Sequence, residues 1–185
     1  MLKKIKYNSP VVITFSLISL ISLILGYMTS GKSTYLLFSV YRFNLTDPLG
    51  YIRMFTYVLG HANIQHYTSN MLIFLLIGPM LEEKYGSKNL LIIILITAFS
   101  TAVVQIIISS GIALGASGIV FAFIMLASIT SVSDQEIPLT MIIIFVLYIG
   151  NEIMNISTAD NVSQLAHIIG GLIGMQLGLF LRKKW

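Results

Sequence analysis

Residues 90–109 read LLIIILITAFSTAVVQIIIS, a run that contains no charged side chain. A helix that crosses the hydrocarbon core of a bilayer needs about 20 mostly apolar residues, and this run meets that requirement. Over the full 185 residues, 56% are hydrophobic, 10% are charged and the mean hydropathy is +0.90. Soluble domains have about a quarter of their residues charged, so the sequence predicts an integral membrane protein.

Five other apolar blocks accompany this run and predict an all-α polytopic bundle, one membrane domain over residues 1–185. The first block is long and no A-x-A-like cleavage pattern follows it, so we expect it to be retained as a helix. The block at 63–83 is apolar only in its second half. The six predicted spans are residues 10–29, 63–83, 90–109, 115–131, 137–153 and 162–181.

Lysine and arginine are distributed unequally between the two sides of this predicted bundle. With six spans, one side carries eight of them and the other carries three, namely Lys32, Arg42 and Arg53. The positive-inside rule then predicts that both termini are cytoplasmic, with the plasma membrane as the expected location. The connection 32–62 lies outside the cell in this topology. Because it is long and rich in apolar and aromatic residues, we expect it to pack onto or into the membrane interface.

Several classes of function are excluded or disfavoured by what the sequence contains. The net charge of +4 comes from basic clusters beside apolar blocks, which orient membrane proteins, so we expect no nucleic-acid partner. The absence of cysteine excludes disulfides, thiolate metal sites and a cysteine nucleophile. Residues 26–33, GYMTSGKS, match the phosphate-loop pattern, but that motif requires a preceding strand and an α/β domain. The preceding block is a predicted membrane helix, so we expect no nucleotide.

A candidate nucleophile lies at the start of the fourth predicted span, in the sequence Gly115-Ala116-Ser117-Gly118. The flanking glycines leave the hydroxyl of Ser117 accessible and allow another backbone to approach closely. At a helix N-terminus, unpaired backbone N–H groups favour a developing negative charge, as an oxyanion hole requires. The motif alone is weak, because glycine, alanine and serine are common helix-packing residues in membranes.

A candidate base lies on the sixth predicted span, where His167 is followed by Gly170, Gly171, Gly174 and Gly178. At 3.6 residues per turn, these glycines share a helix face with the histidine. Small residues at four-residue spacing allow two membrane helices to approach closely. The face that carries His167 is therefore predicted to press against a neighbouring helix.

If that neighbour is the fourth span, His167 comes within reach of Ser117 and can activate its hydroxyl. Gly118 and Ala122 are one turn apart on the fourth span and would allow the close approach. Phe121 follows Ser117 by one turn and could hold the imidazole by stacking. A histidine that only links two helices by a hydrogen bond is the alternative at this point.

The second predicted span contains His66 and Asn70, and His61 lies just before its start. His66 and Asn70 are four residues apart and share a helix face, so both can donate hydrogen bonds toward one point, as side chains of an oxyanion hole do. A metal site built from three histidines is the alternative. No aspartate or glutamate accompanies them and H-E-x-x-H is absent, so we expect no metal.

Taken in chain order, these motifs resemble those of the rhomboid family of intramembrane serine proteases over nearly the whole chain. They fall on the second, fourth and sixth of six predicted helices. The residues that carry the resemblance are Ile52-Arg53 before Phe55-Thr56, then His61, His66 and Asn70, then Gly115-Ala116-Ser117-Gly118, and Ala166-His167-Ile168-Ile169-Gly170 through Gly174.

The resemblance implies a six-helix bundle around a water-filled cavity that opens outward, and a serine endopeptidase that cuts transmembrane proteins. It implies Ser117 as nucleophile and His167 as general base, with no acidic third member. The implied oxyanion hole consists of Asn70, His66 and the backbone N–H groups of Ser117 and Gly118. The implied supporting residues are Phe121, His61, Arg53, Gly115, Gly170 and Gly174. The expected partners are the lipid bilayer and transmembrane substrates, with no cofactor.

Two positions depart from the family pattern, since Ile52 stands where Trp is frequent and Phe121 where Tyr is frequent. Neither departure touches Ser117 or His167, so an active enzyme is expected. Two other functions remain open at this stage. One is a non-catalytic rhomboid-like protein that binds membrane clients, and the other is a small transporter that uses the histidines.

Overall fold

The structure is a computed structural model that describes residues 7–129 and 161–181, together with positions 139, 142, 143 and 146. The side chains of residues 129 and 161–167 lie outside this description. Within these ranges the regular structure is helical, apart from one isolated β-bridge between Val40 and Ala113. The helices are α1 (Pro10–Met28), α2 (Lys32–Leu37), α3 (Pro48–Thr56), α4 (Ile64–Tyr85), α5 (Ser87–Ile108), α6 (Ser117–Ile129) and α7 (Asn161–Leu181), with a 3₁₀ turn (Tyr57–Leu59) after α3.

Helices are present at five of the six predicted ranges. The predicted ranges 10–29, 63–83, 90–109, 115–131 and 162–181 correspond to α1, α4, α5, α6 and α7. Most of the range 137–153 lies outside the described residues. By length and composition, α1 and α5 can each cross a membrane, while α6 and residues 168–181 of α7 are shorter apolar helices.

The helices surround one core in which α6 occupies the centre. The most extensive helix contact in the described ranges joins α6 to α7, and α7 also packs against α5. On the other side, α4 contacts both α1 and α6. The aromatic rings of Phe15, Phe74 and Phe123 form a continuous row of contacts from α1 through α4 to α6, with centroid separations of 4.7 and 4.9 Å. A central α6 has its N-terminus surrounded by protein.

A single residue connects α4 to α5. Gly86 has a φ of 79°, a left-handed value that glycine adopts without steric cost. It follows the last residue of α4 and precedes the first residue of α5, so the two helices form a tight hairpin.

The N-terminus of α1 is capped by a side chain from α4. The two carboxylate oxygens of Glu82 accept hydrogen bonds of 3.0 Å from the backbone N–H groups of Val11 and Val12. Ser87 donates a third hydrogen bond of 2.7 Å to the same carboxylate. The first N–H groups of a helix have no intrahelical partner, so this buried carboxylate stabilises α1 and fixes it to α4.

Two short helices, α2 and α3, and the 3₁₀ turn lie in the connection between α1 and α4. Asp47 caps α3, since its side chain accepts the N–H of Leu49 at 3.0 Å, and Pro48 occupies the first helical position. Arg42 donates hydrogen bonds of 2.9 and 2.8 Å to the last carbonyls of α5, those of Ile106 and Ile107. These bonds hold the connection against the helical core. They explain why the long connection at residues 32–62 has a defined position against α5.

Candidate active site

Ser117 is the first residue of α6, where the chain enters the helix from the segment 109–116. This segment is fixed at two points. Val40 and Ala113 exchange backbone hydrogen bonds of 2.8 and 2.9 Å, and the N–H of Gly115 donates to the carbonyl of Tyr57 at 3.0 Å. Gly115 has a φ of 117°, which disfavours a side chain, so the approach to Ser117 depends on glycine.

His66 and Asn70 from α4 lie beside this approach. A Cβ atom placed on Gly115 would be 2.7 and 2.8 Å from Cε1 and Nε2 of His66, and 3.8 Å from Nδ2 of Asn70. The absence of a side chain at Gly115 therefore lets both polar groups reach the backbone two residues before Ser117. His66 and Asn70, two of the predicted oxyanion-hole groups, therefore lie at the end of the bundle where α6 starts.

Asn70 carries a donor that no group in the described residues accepts. Its side chain is 6% exposed, and its Nδ2 atom has no hydrogen-bond partner in the described part of the chain. A buried amide without a partner costs about 1–3 kcal/mol, and such groups in native proteins are often functional. The donor is available to an oxygen that a reaction places near Gly115.

Local sequence explains the position of His66 within this arrangement. Asn63 is the N-cap of α4, and its Oδ1 accepts the backbone N–H of His66 at 2.8 Å. This cap fixes the first turn of α4, so His66 and Asn70 lie one turn apart on the face that meets Gly115.

His61 lies between the 3₁₀ turn and α4 and supports His66. Its ring is 5.1 Å from the ring of His66 and 5.4 Å from that of Tyr67, both edge to face, and its Nδ1 is 3.3 Å from the carbonyl of Leu59. Burial, followed by the neighbouring His66, lowers the pKa of His61 to about 4. The ring of His61 is therefore neutral at physiological pH and packs against the ring of His66.

The glycines of α7 pack directly on α6. A Cβ atom on Gly170 would lie 3.1 Å from the carbonyl oxygen of Gly118, and one on Gly174 would lie 2.4 Å from Cβ of Ala122. These pairs advance together along the chain, so α6 and α7 run parallel. The close helix contact expected from the four-residue spacing is present, and it joins α7 to the helix that Ser117 begins.

His167 lies in α7 one turn before Gly171, but its side chain falls outside the described part of the structure. The ring of Phe121 lies against Gly171, where a Cβ atom would be 2.0 Å from Cδ1. The aromatic residue predicted to support the histidine is therefore one helical turn from position 167. The parallel register places that position opposite residue 115, two residues before α6 starts.

Arg53, predicted as an anchor of the first connection, is 3% exposed. It forms an ion pair of 2.9 Å with Asp47, and its guanidinium lies 4.4 Å from the ring centroid of Tyr41. The ion pair and the cation–π contact hold α3 in place, so Arg53 has a structural role in the connection between α1 and α4.

Sequence reasoning missed a row of polar side chains on α5. Thr97, Thr101 and Gln105 are buried and lie four residues apart, which places them on one face of the helix. Thr101 Oγ1 is 3.7 Å from the position of a Cβ on Gly118 and 3.2 Å from that of one on Gly170. The row therefore runs past the junction of α6 and α7 near Ser117. Its regular spacing within an apolar run was the signal that could have revealed it.

Two atoms of this row have unused hydrogen-bonding capacity. The hydroxyl of Thr97 and Oε1 of Gln105 have no hydrogen-bond partner among the described groups, while Nε2 of Gln105 donates to the carbonyl of Gly111 at 3.3 Å. Buried polar atoms of this kind are the usual partners of internal water. Across the described ranges, no three side chains of the kinds that ligate metals are grouped to hold an ion.

In the described residues, the chain is helical, two helices are long and apolar enough to cross a membrane, and a serine begins a third apolar helix. These features are typical of a helical membrane protein. Comparison with known families identifies the particular one, because a model of the rhomboid domain matches residues 48–184. The chain belongs to the rhomboid family.

Curated relatives agree with this assignment. RHOMBOID-like protein 1 of Arabidopsis thaliana is 26% identical over 132 residues, which cover 68% of this chain and 33% of that protein. Rhomboid-related protein 1 of Caenorhabditis elegans is 31% identical over 138 residues, which cover 68% of this chain and 38% of that protein. Rhomboid-like protein 11, chloroplastic, of Arabidopsis thaliana is 24% identical over 66% of this chain and 50% of its own length. The matched region spans at most half of these relatives.

Proposed function

We propose that this chain is an intramembrane serine endopeptidase that uses Ser117 as nucleophile and His167 as general base. The observation that supports this most strongly is the parallel packing of α6 and α7, in which Gly170 and Gly174 lie against Gly118 and Ala122. The same register sets position 167 of α7 opposite residue 115, two residues before Ser117, and this proximity supports the proposed pairing.

In the first half of the proposed reaction, Oγ of Ser117 attacks the carbonyl carbon of the scissile peptide bond while His167 accepts the hydroxyl proton. The carbonyl oxygen becomes an oxyanion, which accepts hydrogen bonds from the N–H of Ser117, from Nδ2 of Asn70 and from His66. The C–N bond then breaks, His167 returns the proton to the leaving amine, and an acyl ester remains on Ser117.

The second half of the reaction requires water at the ester. His167 removes a proton from this water, the resulting hydroxide attacks the ester carbonyl, and Ser117 regains its proton as the acid product leaves. The polar row of Thr97, Thr101 and Gln105 passes close to this point through an otherwise apolar core. We propose that it supplies hydrogen-bonding sites for the water that the reaction consumes.

The proposed substrates are transmembrane segments of other proteins, cut near the outer face of the membrane. A substrate helix uses its own carbonyls in intrahelical hydrogen bonds, so cleavage should favour segments that contain Gly, Pro or polar residues and can unwind. The proposed topology places the protein in the plasma membrane, with six spans and both termini in the cytoplasm. In that topology the start of α6 lies toward the outside, where water and the unwound segment can enter.

Cleavage by purified protein tests this proposal. The wild type and the Ser117→Ala variant should be reconstituted in vesicles with a panel of single-span proteins, and product masses should locate the cut. We expect the variant to lose cleavage while it keeps the thermal unfolding midpoint of the wild type. Cleavage that persists unchanged in Ser117→Ala would exclude the proposed nucleophile.

A rhomboid-like protein that binds clients without cutting them is the main alternative, and the two functions differ in the chemistry of Ser117. A mechanism-based serine-hydrolase probe should react with Ser117 in an enzyme and not in a binding protein. Among the described residues, the buried Nδ2 of Asn70 has no hydrogen-bond partner. This favours the enzyme, because client binding alone gives that donor no role.

A further inference from the structure

A cavity of about 380 Å³ lies between α1 and α5, and none of its described lining residues belongs to α7. Its walls are apolar, and several of its side chains are substantially exposed, including Ile18, Leu91 and Leu95. Residues of α3 and of the 3₁₀ turn, among them Phe55 and Leu59, close it at one end. We call this cavity the α1/α5 groove.

The closed end of the groove is fixed about halfway along the bundle. The hydroxyl of Tyr57, in the 3₁₀ turn, donates a hydrogen bond of 3.2 Å to the carbonyl of Ala98, which is near the middle of α5. Pro10 and Ile18 both line the groove, and at 1.5 Å per helical residue they are separated by about 12 Å. The groove therefore extends over roughly one leaflet, since half of the hydrocarbon core is about 15 Å thick.

The open end of the groove carries groups that suit a membrane–water interface. Lys88 is exposed and precedes Leu91 by three residues, so it continues the groove face of α5 by one turn. Just before α1, the hydroxyl of Tyr7 lies 3.0 Å from Oγ1 of Thr14, a residue of α1 that lines the groove. Lysine and tyrosine are the side chains that anchor proteins at the headgroup level.

We propose that the α1/α5 groove binds one acyl chain of an anionic phospholipid from the leaflet on the Lys88 side, with the headgroup beside Lys88. A transmembrane helix, about 10–12 Å wide, must pass through both leaflets, and α3 blocks that path above the groove. An acyl chain confined to one leaflet meets no such obstacle. The positive charge of Lys88 favours an anionic headgroup over a zwitterionic one.

Photolabelling of the full chain tests this binding site without requiring proteolysis. The protein is placed in phosphatidylcholine nanodiscs that contain a minor fraction of phosphatidylglycerol with a diazirine in its acyl chain, and the labelled positions are located by mass spectrometry. We expect labelling of Leu91 and Leu95 to exceed that of Leu72 and Leu76, which are exposed on α4 but outside the groove. Equal labelling of the two sets would overturn the proposal.

Two pairs of variants separate specific binding from general contact with lipid. Lys88→Gln should lower groove labelling by about fivefold, the preference expected for one lysine at an anionic surface, while Lys84→Gln should not. Thr14→Trp fills the groove and should abolish labelling, whereas Leu17→Trp, on an exposed part of α1 outside the groove, should leave it intact. Unchanged labelling in both Lys88→Gln and Thr14→Trp would also overturn the proposal.

Discussion

Replacing Gly174 with alanine should impair proteolysis by separating α7 from α6. A Cβ atom at this position would lie 2.4 Å from Cβ and 2.8 Å from Cα of Ala122. Non-bonded carbon atoms normally approach to about 3.5–4.0 Å, so the two helices must move apart by about 1 Å. The obstructing atoms belong to or adjoin the backbone of α6, and rotation of a side chain cannot relieve the contact.

This movement reaches the proposed active site because His167 lies two turns before Gly174 on the same helix. A misplacement of about 1 Å can reduce the rate on the order of 100-fold, which corresponds to about 2.7 kcal/mol of activation free energy. Overpacking of this kind also destabilises a folded protein by about 1–3 kcal/mol. We therefore expect kcat/KM of Gly174→Ala to fall by about 100-fold, with a smaller loss of stability.

The assay is cleavage of a fluorescent single-span substrate in proteoliposomes, with thermal unfolding measured on the same preparations. Gly178→Ala is the matched control, since a Cβ atom there meets Cδ2 of Leu126, the end of a flexible side chain that can rotate away. The control should cleave at nearly the wild-type rate. A folded Gly174→Ala variant with wild-type kcat/KM, or an equal loss in Gly178→Ala, would refute the proposed link between this helix contact and catalysis.

Three further predictions concern single side chains. Asn70→Ala should lower kcat on the order of 100-fold, since it removes an oxyanion donor, and the same rate as wild type in the cleavage assay would contradict that role. Glu82→Ala should reduce the free energy of unfolding by about 1.5–3 kcal/mol because α1 loses its cap, while the exposed Glu83→Ala should have little effect in denaturant titrations. The pKa of His61 is about 4 in the folded state and about 6.5 in the unfolded state, so between these values the unfolded chain binds a proton more readily. The contribution of His61 to the free energy of unfolding is therefore complete above about pH 6.5 and is lost as the pH falls toward 4. Unfolding midpoints measured from pH 7.5 to 4.5 should fall more steeply for the wild type than for His61→Asn, and parallel curves would disprove the assignment.

The sequence predicted those parts of the fold that depend on local pattern. Apolar runs of sufficient length predicted α1 and α5, and the four-residue spacing from Gly170 to Gly178 predicted a face that contacts another helix closely. The polar positions His66 and Asn70 were predicted on one face of a helix because their spacing determines it. These features need no knowledge of which helix lies next to which.

Features that join distant parts of the chain could not be predicted in the same way. The cap on α1 involves Glu82, seventy residues after Val12, and nothing in either segment indicates the other. The bonds from Arg42 to the end of α5 likewise depend on the packed arrangement. The contact of Gly115 with His66 could be predicted only in part. The glycine indicates that another group approaches closely, but it does not reveal which side chain that is.

The most direct test of the central claim is mass spectrometry of the protein after reaction with a fluorophosphonate serine-hydrolase probe. We predict one phosphonylated residue, Ser117, in the wild type, and loss of that adduct in a folded His167→Ala variant. An adduct on a different residue, or an adduct on Ser117 that forms equally fast without the histidine, would contradict the proposed dyad.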